Sequence, residues 1–195
     1  MKRKEIVNNQ NITSVGARHF VAGNFVSHAR FIDPEVYGFI VRDNVVRTSV
    51  DVLIMDKKAN VFLGKRRIYP WADWWTFGGA IKPGESMEEA CARTVSRDLG
   101  LKIDPQQFLY IDFCSLVFDR RQENPQRNGC HDVSHFHLLA LGGDEVFNLE
   151  KAEYDDCQWF NGSDIRVPDY HPALEKMIKK SCRMLRQINK RRGNH

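Results

Sequence analysis

Between Gly78 and Leu101 the chain reads GGAIKPGESMEEACARTVSRDLGL, and this stretch gathers residue types that chemistry can use. The double glycine lets a backbone approach a ligand closely, Glu85 and Asp98 offer carboxylate oxygens, and Arg93 offers a guanidinium. A hard divalent cation binds oxygens, and arginines meet the oxygens of phosphates. Together these groups point to an anionic, phosphate-bearing substrate whose charge must be neutralised in the transition state. One feature works against that reading. After Cys91-Ala92-Arg93 come Thr94, Val95, Ser96, Arg97 and Asp98, a poor set of metal ligands with a single carboxylate.

The elements that must position these residues follow from local signals. Ser86 with Glu89 forms a capping box, so a helix starts there, runs to Leu99 and stops at Gly100. Within it Glu89 and Arg93 stand one turn apart and could form a plain surface pair, and Glu88 and Glu89 suit a helix N-terminus. Upstream, TSVDVLIM (48–55) and VFLGKRR (61–67) flank the turn DKKAN and predict a hairpin. The run YPWADWWTFGGAI predicts an aromatic loop leading into a short strand. Asp33 before Pro34 predicts a short helix. Downstream, QFLYIDFCSLVFD (107–119) and VSHFHLLAL (133–141) predict strands separated by the polar loop RRQENPQRNGCHD, and DDCQWF (155–160) predicts another. Strands on both sides of one isolated helix, joined mostly as hairpins, imply an α+β chain with a mixed sheet rather than repeated βαβ units.

The 195 residues fit one domain, and 42% hydrophobic with 28% charged residues is an ordinary globular composition. We divide the chain into an N-terminal extension (1–32), a central domain (33–165) and a C-terminal basic amphipathic helix packed on it (166–195). Five scattered cysteines without a C-x-x-C pair suit a reducing compartment. The N-terminus lacks the apolar core of a secretory signal and no apolar run reaches membrane-spanning length, so a cytoplasmic protein is expected, with no membrane partner. Net charge is +4, concentrated from Lys176 to Arg192. Leu174, Met177, Ile178, Leu185 and Ile188 recur there at helical spacing. The run therefore reads as one face of a helix, and a nucleic-acid partner is not expected.

Gly79, Glu85, Arg93, the segment 94–98, Gly100 and Leu101 fall at the spacing of a Nudix box, and the chain resembles the Nudix hydrolase superfamily over about residues 33–165. Within it the degenerate box, the short helix before the first strand, the L-G-K-R run and the DD-x-x-W run are most similar to GDP-mannose mannosyl hydrolases. The resemblance implies a Nudix fold, an α/β/α sandwich, and hydrolysis of a nucleoside diphosphate sugar such as GDP-mannose to sugar and nucleoside diphosphate. It also implies Mg2+, with Mn2+ as an alternative, and a homodimer. Carried over residue by residue, it makes Gly79 (through its carbonyl), Glu85, Asp98 and Glu153 the metal set. Asp51, Arg66 and Trp74 become substrate contacts, Trp74 by stacking a base or equally by packing in the core. Arg66 and Arg93 join the catalytic set, Arg66 as a phosphate clamp and Arg93 as the partner of Glu85.

Departures from the pattern bear on activity. Boxes of this family carry glutamates where this chain has Thr94 and Arg97, and Arg97 would repel Mg2+ if it pointed inward. The proline before the double glycine is Phe77, and an arginine of the mannosyl hydrolases is Ala80. Their histidine base falls at Tyr154, a weak base with an ordinary pKa near 10. CHDVSHFH offers His131, His135 and His137, and His131 is the replacement base expected to reach the cleft from a loop. A metal site of Cys130 with these histidines matches no standard spacing. Alternatives are another nucleoside diphosphate pyrophosphohydrolase, or a catalytically impaired nucleotide-binding module.

Overall fold

The structure, a computed structural model, describes residues 19–21, 23–165 and 170–192. Residues 1–18 of the expected extension, and 166–169 and 193–195 around the C-terminal helix, lie outside the described residues.

Asp33 accepts from the backbone N–H groups of Glu35 and Val36, and Pro34 opens α1 (Pro34–Tyr37), which continues into a wider π turn, Gly38–Arg42. β1 (Arg47–Met55) and β2 (Asn60–Arg66) form the predicted hairpin. Its turn is tied by the Asp56 side chain, which accepts from the N–H groups of Lys58 and Asn60. Then come β3 (Trp74–Trp75), β4 (Phe77–Ala80), α2 (Met87–Leu99), β5 (Leu109–Phe118), β6 (Cys130–Ala140), β7 (Tyr154–Asn161) and α3 (Pro172–Arg192). The capping box at Ser86 and Glu89 forms, and Gly100 closes α2 in the left-handed region at φ 71°.

Seven strands make one mixed sheet in the order β3-β2-β1-β6-β5, with β4 on β1 and β7 on β2. The central strand is β1, parallel to β6 along its length and antiparallel elsewhere. On its other edge β1 pairs with two strands in succession: β4 over Ser49–Val52, then β2 over Ile54–Met55. The sheet divides at that point, and the division opens the cleft described below.

Side-chain alternation along β1 sorts two cores. Val50, Val52 and Ile54 pack against Ala90, Cys91, Val95 and Leu99 of α2. Leu53 and Met55 pack on the opposite face with Leu174, Met177, Ile178 and Leu185 of α3. The helices thus cover both faces, as an α/β/α sandwich requires, and each of these fully buried aliphatic side chains contributes roughly 1.5–3 kcal/mol. The basic residues of the C-terminal run ride on a helix whose apolar stripe is in the core, as its periodicity predicts. Among the described residues no helix is long and apolar enough to cross a membrane.

One boundary differs from expectation, with a consequence for function. β6 begins at Cys130 rather than at Val133, because Val117 and Phe118 extend β5 far enough to pair with His131 and Cys130. His131 and Asp132 are therefore strand residues on opposite faces, not parts of a loop.

Candidate active site

Four backbone segments converge at the divided end of the sheet: the start of β1, the end of β2, the glycines of β4 and the C-terminal half of α2. The close approach of β4 to β1 depends on Gly78, where a Cβ would stand 2.2 Å from the carbonyl oxygen of Val50. Opposite faces of this junction carry two distinct groups of polar residues.

On the α3 face lies a cleft, partly open to solvent, lined by Arg47, Asp51, Arg66, Trp71, Trp75 and the Gly78–Gly79 backbone. Asp51 sits on its floor, 7% exposed. It accepts from Trp75 Nε1 at 2.8 Å, Thr76 Oγ1 at 2.5 Å and the hydroxyl of Ser134, so most of its acceptor capacity is spent on tying β1 to β6 and to β3 with the residue that follows it. Asp132 lies on the same wall. Arg47 grips it with Nε to Oδ1 at 3.1 Å and Nη2 to Oδ2 at 2.9 Å, and Arg42 donates Nη1 to Oδ1 at 2.7 Å. Burial pushes the Asp132 carboxyl up, but the two guanidiniums outweigh it and hold it below its ordinary value. Two buried donors in this cleft, Arg66 Nε and Trp71 Nε1, have no hydrogen-bond partner among the described residues. Buried N–H groups without partners are rare in a folded chain.

On the α2 face the box residues form two closed pairs. Glu85 receives Arg93 in a bidentate fork, Nε to Oε1 at 2.5 Å and Nη2 to Oε2 at 2.7 Å, while Lys82 N donates to Oε2 at 2.9 Å. Arg93 also donates to the carbonyl of Ala80 at 2.9 Å and so fastens the loop to the helix. The hydrogen bonds from Arg93 hold Glu85 below the usual carboxylate range. Glu89 meanwhile bonds the N–H of Ser86, so the surface pair with Arg93 is not the one that forms.

The second pair is Arg97 with Asp98, Nε to Oδ1 at 2.6 Å. Asp98 is fully buried, and burial pushes its carboxyl above the ordinary value despite the guanidinium. Arg97 Nη2 donates to the Gly78 carbonyl at 3.0 Å and lies 3.7 Å from Glu153 Oε2. Thr94 is buried beneath Gly79 with its hydroxyl turned to the Cys91 carbonyl, which accounts for an uncharged residue there.

Of the residues singled out from sequence, Gly79, Asp98 and Glu153 gather around Arg97, Glu85 pairs with Arg93 apart from them, and Asp51 and Arg66 line the cleft. Tyr154 stands at the Arg97 group, and His131 stands on β6 beside β5. Tyr154 is 1% exposed and donates its O–H to Asp98 Oδ2 at 3.1 Å; burial and the neighbouring Asp98 charge push its phenol far above the ordinary value. His131 faces away from Asp132 and Ser134 and meets Ser115 Oγ at 2.8 Å. Trp74 packs edge-on against Phe160 at 4.8 Å with Lys65 above its ring, and the aromatic residues that line the cleft are Trp71, Trp75 and Phe118. Among the described residues Cys130 and the histidines form no group of three able to hold a metal.

Sequence reasoning missed Arg47, Asp132 and Trp71. A signal existed for the first: Arg47, Ser49 and Asp51 share the parity of one strand face. Asp132 and Ser134 share parity on β6, but only if that strand is started early enough.

The depressed carboxylates give a pH prediction. Glu85 and Asp132 titrate lower in the fold than in the unfolded chain, so their stabilisation is present above the ordinary carboxylate range and is lost as pH falls through it toward their folded values. Asp98, raised in the fold, works in the opposite direction and offsets part of the loss. Melting temperature is expected to fall steadily between about pH 5 and pH 3. A flat profile across that range would show that these pairs carry no net stability.

The family description "NUDIX domain" matches residues 45–181. Solved structures with the same fold include a MutT NUDIX hydrolase from Burkholderia pseudomallei, 20% identical with TM-score 0.56, covering 69% of this chain and 96% of that one. A C. elegans Ap4A hydrolase, in a binary complex, is 16% identical with TM-score 0.56, covering 73% of this chain and 99% of that one. The NUDIX domain of Shewanella oneidensis NrtR, complexed with ADP ribose, is 14% identical with TM-score 0.52, covering 71% and 90%.

Proposed function

We propose, from the premise that this chain belongs to the Nudix hydrolase family, that it hydrolyses a nucleoside diphosphate sugar of the GDP-mannose type, releasing sugar and nucleoside diphosphate. The observation that carries this reading is the pair of unpartnered donors, Arg66 Nε and Trp71 Nε1, in an aromatic-walled cleft beside the β4 glycines. A diphosphate supplies many acceptor oxygens, and the half-buried ring of Trp71 suits a base or sugar ring.

Arg66 ends β2 opposite Tyr154, so it stands between the cleft and the group around Arg97. In this reading a diphosphate lies across the Gly78–Gly79 backbone, with the nucleoside toward Trp71 and the bond to be cut toward α2. Glu153 is the carboxylate there with freedom to act: its side chain is 27% exposed and its contact with Arg97 is loose at 3.7 Å. Asp98 and Glu85 are both closed by shorter bonds. Glu153 is therefore the group we assign to accept a proton from attacking water, a role worth about 10²–10⁴-fold.

Incubation with GDP-mannose, GDP-glucose and ADP-ribose, each with and without Mg2+, followed by product analysis, tests the reading. Free mannose with GDP is the expected outcome, and Glu153→Gln should lower its rate by at least about a hundredfold with substrate affinity retained. GMP with mannose 1-phosphate would move cleavage to phosphorus. Tight binding without turnover would make the chain a nucleotide-binding module.

A further inference from the structure

Around Arg97 stand two of the acids that the resemblance assigns to a divalent cation, Asp98 at the end of α2 and Glu153 before β7, together with the carbonyl of Gly78 rather than that of Gly79. They do converge, but a guanidinium stands among them. Arg97 bonds Asp98 Oδ1 at 2.6 Å and the Gly78 carbonyl at 3.0 Å, with Glu153 at 3.7 Å. Gly79 faces the same group, since a Cβ there would lie 3.5 Å from Nη1 and 3.8 Å from Nη2. The second oxygen of Asp98 is taken by the Tyr154 hydroxyl. Glu85, the remaining expected ligand, is held by Arg93 and the Lys82 N–H.

Mg2+ needs oxygens in near-octahedral array at roughly 2.0–2.1 Å and keeps several waters. Both oxygens of Asp98, both of Glu85 and the Gly78 carbonyl are instead engaged by an N–H or O–H, Glu153 lies 3.7 Å from the Arg97 guanidinium, and an ion placed among them would coincide with a permanent positive charge. The donor set as arranged does not fit a divalent ion.

We infer that Arg97 is the resident cation of this site: its guanidinium replaces the divalent ion that the surrounding oxygens could otherwise hold. A side chain that is itself covalently part of α2 supplies the charge, and its planar fork matches a carboxylate and a carbonyl in directions that a spherical ion does not require. Its side chain is 40% exposed, so part of the fork also faces the solvent side of the site. The inference concerns the cation alone and stands whichever nucleotide fills the cleft.

Mn2+ uptake decides it, read by the loss of the free-ion electron paramagnetic resonance signal on titrating the purified full chain. Wild-type protein is expected to take up no Mn2+, whereas Arg97→Glu, with three acids around the vacated space, should take up one ion with affinity at least about tenfold tighter. Thermal melting establishes that the variant is folded. If Arg97→Glu is not folded, Arg97→Gln, which removes the charge at nearly constant size, is titrated in its place and should also gain the ion. Uptake by wild type as tight as by the variant would overturn the inference, because Arg97 would then be yielding to metal. Failure of both the wild type and a folded variant to bind would overturn it too, because the oxygens would then not form a cation site.

Discussion

Arg66→Ala is expected to lower kcat/KM for the proposed nucleotide-sugar substrate by about 10²–10³-fold and to leave the melting temperature nearly unchanged, the magnitude found when one preorganised electrostatic donor is removed from an active site. Both halves of this expectation come from the same observation. The Arg66 side chain has no ion pair or hydrogen bond among the described residues, so its loss strands no partner. Its backbone, which alone is structural, keeps its bond from N to the Asp73 carbonyl at 3.1 Å and its pairing with Tyr154. Meanwhile the guanidinium is the free positive charge where a diphosphate would lie, and it is paid for in advance by burial of an unsatisfied Nε. Arg66→Lys keeps the charge but not the fork and should recover only part of the loss. Steady-state kinetics beside thermal melting separate the two effects. Unchanged kcat/KM in Arg66→Ala would remove the phosphate clamp from the mechanism, and a large drop in melting temperature would make Arg66 a structural residue instead.

The same contrast between local and non-local information runs through the whole chain. The capping box at Ser86, the αL stop at Gly100 and the proline start at Pro34 are decided within a few residues, and all three form as their sequences imply. The alternation of Val50, Val52 and Ile54 against Leu53 and Met55 needs only the period of a strand, and it sorts the two cores correctly. The pairing of Glu85 with Arg93 is implied by the resemblance, whereas local helical spacing offers Glu89 with Arg93, a pair that does not form. What was not legible depends on contacts across the sheet. Arg97 reads as a misplaced charge in the sequence; only the return of β7 beside β2, which brings Glu153 and Tyr154 to the end of α2, gives it partners. Trp71, Trp74 and Trp75 are indistinguishable as letters, and the two-residue strand β3 decides which rings face the cleft. His131 was placed on a loop because glycine and polar residues precede it, yet nine residue pairs along β5 and β6 carry the strand through it. Local rules thus recover the elements, and the chemistry is settled by which ends of those elements meet.

Asp132→Ala shows how such a meeting of ends holds the cleft together. Asp132 is 4% exposed and stands at the first register position of β6 against β1, opposite Arg47. From there it receives Arg47 and, through Arg42, the π turn that follows α1. Removing its carboxylate leaves the Arg42 side chain 2% exposed with only Glu123 nearby, at 3.6 Å. Breaking a buried ion pair from one side costs about 3–5 kcal/mol, because the surviving charge remains desolvated. For a chain of this size that corresponds to a fall in melting temperature of roughly 10 °C. Asp132→Asn, which retains an acceptor while losing the charge, should fall between alanine and wild type. The two variants also differ from Arg66→Ala in kind: their loss appears in stability first, and in turnover only through Arg47, which would be freed to move within the cleft. Melting curves for both variants at pH 7 check this, and the loss should shrink as pH approaches the depressed titration of Asp132, where the wild-type carboxylate is itself neutralised. A loss that stays constant as the pH is lowered would mean that packing, rather than charge, is what Asp132 supplies.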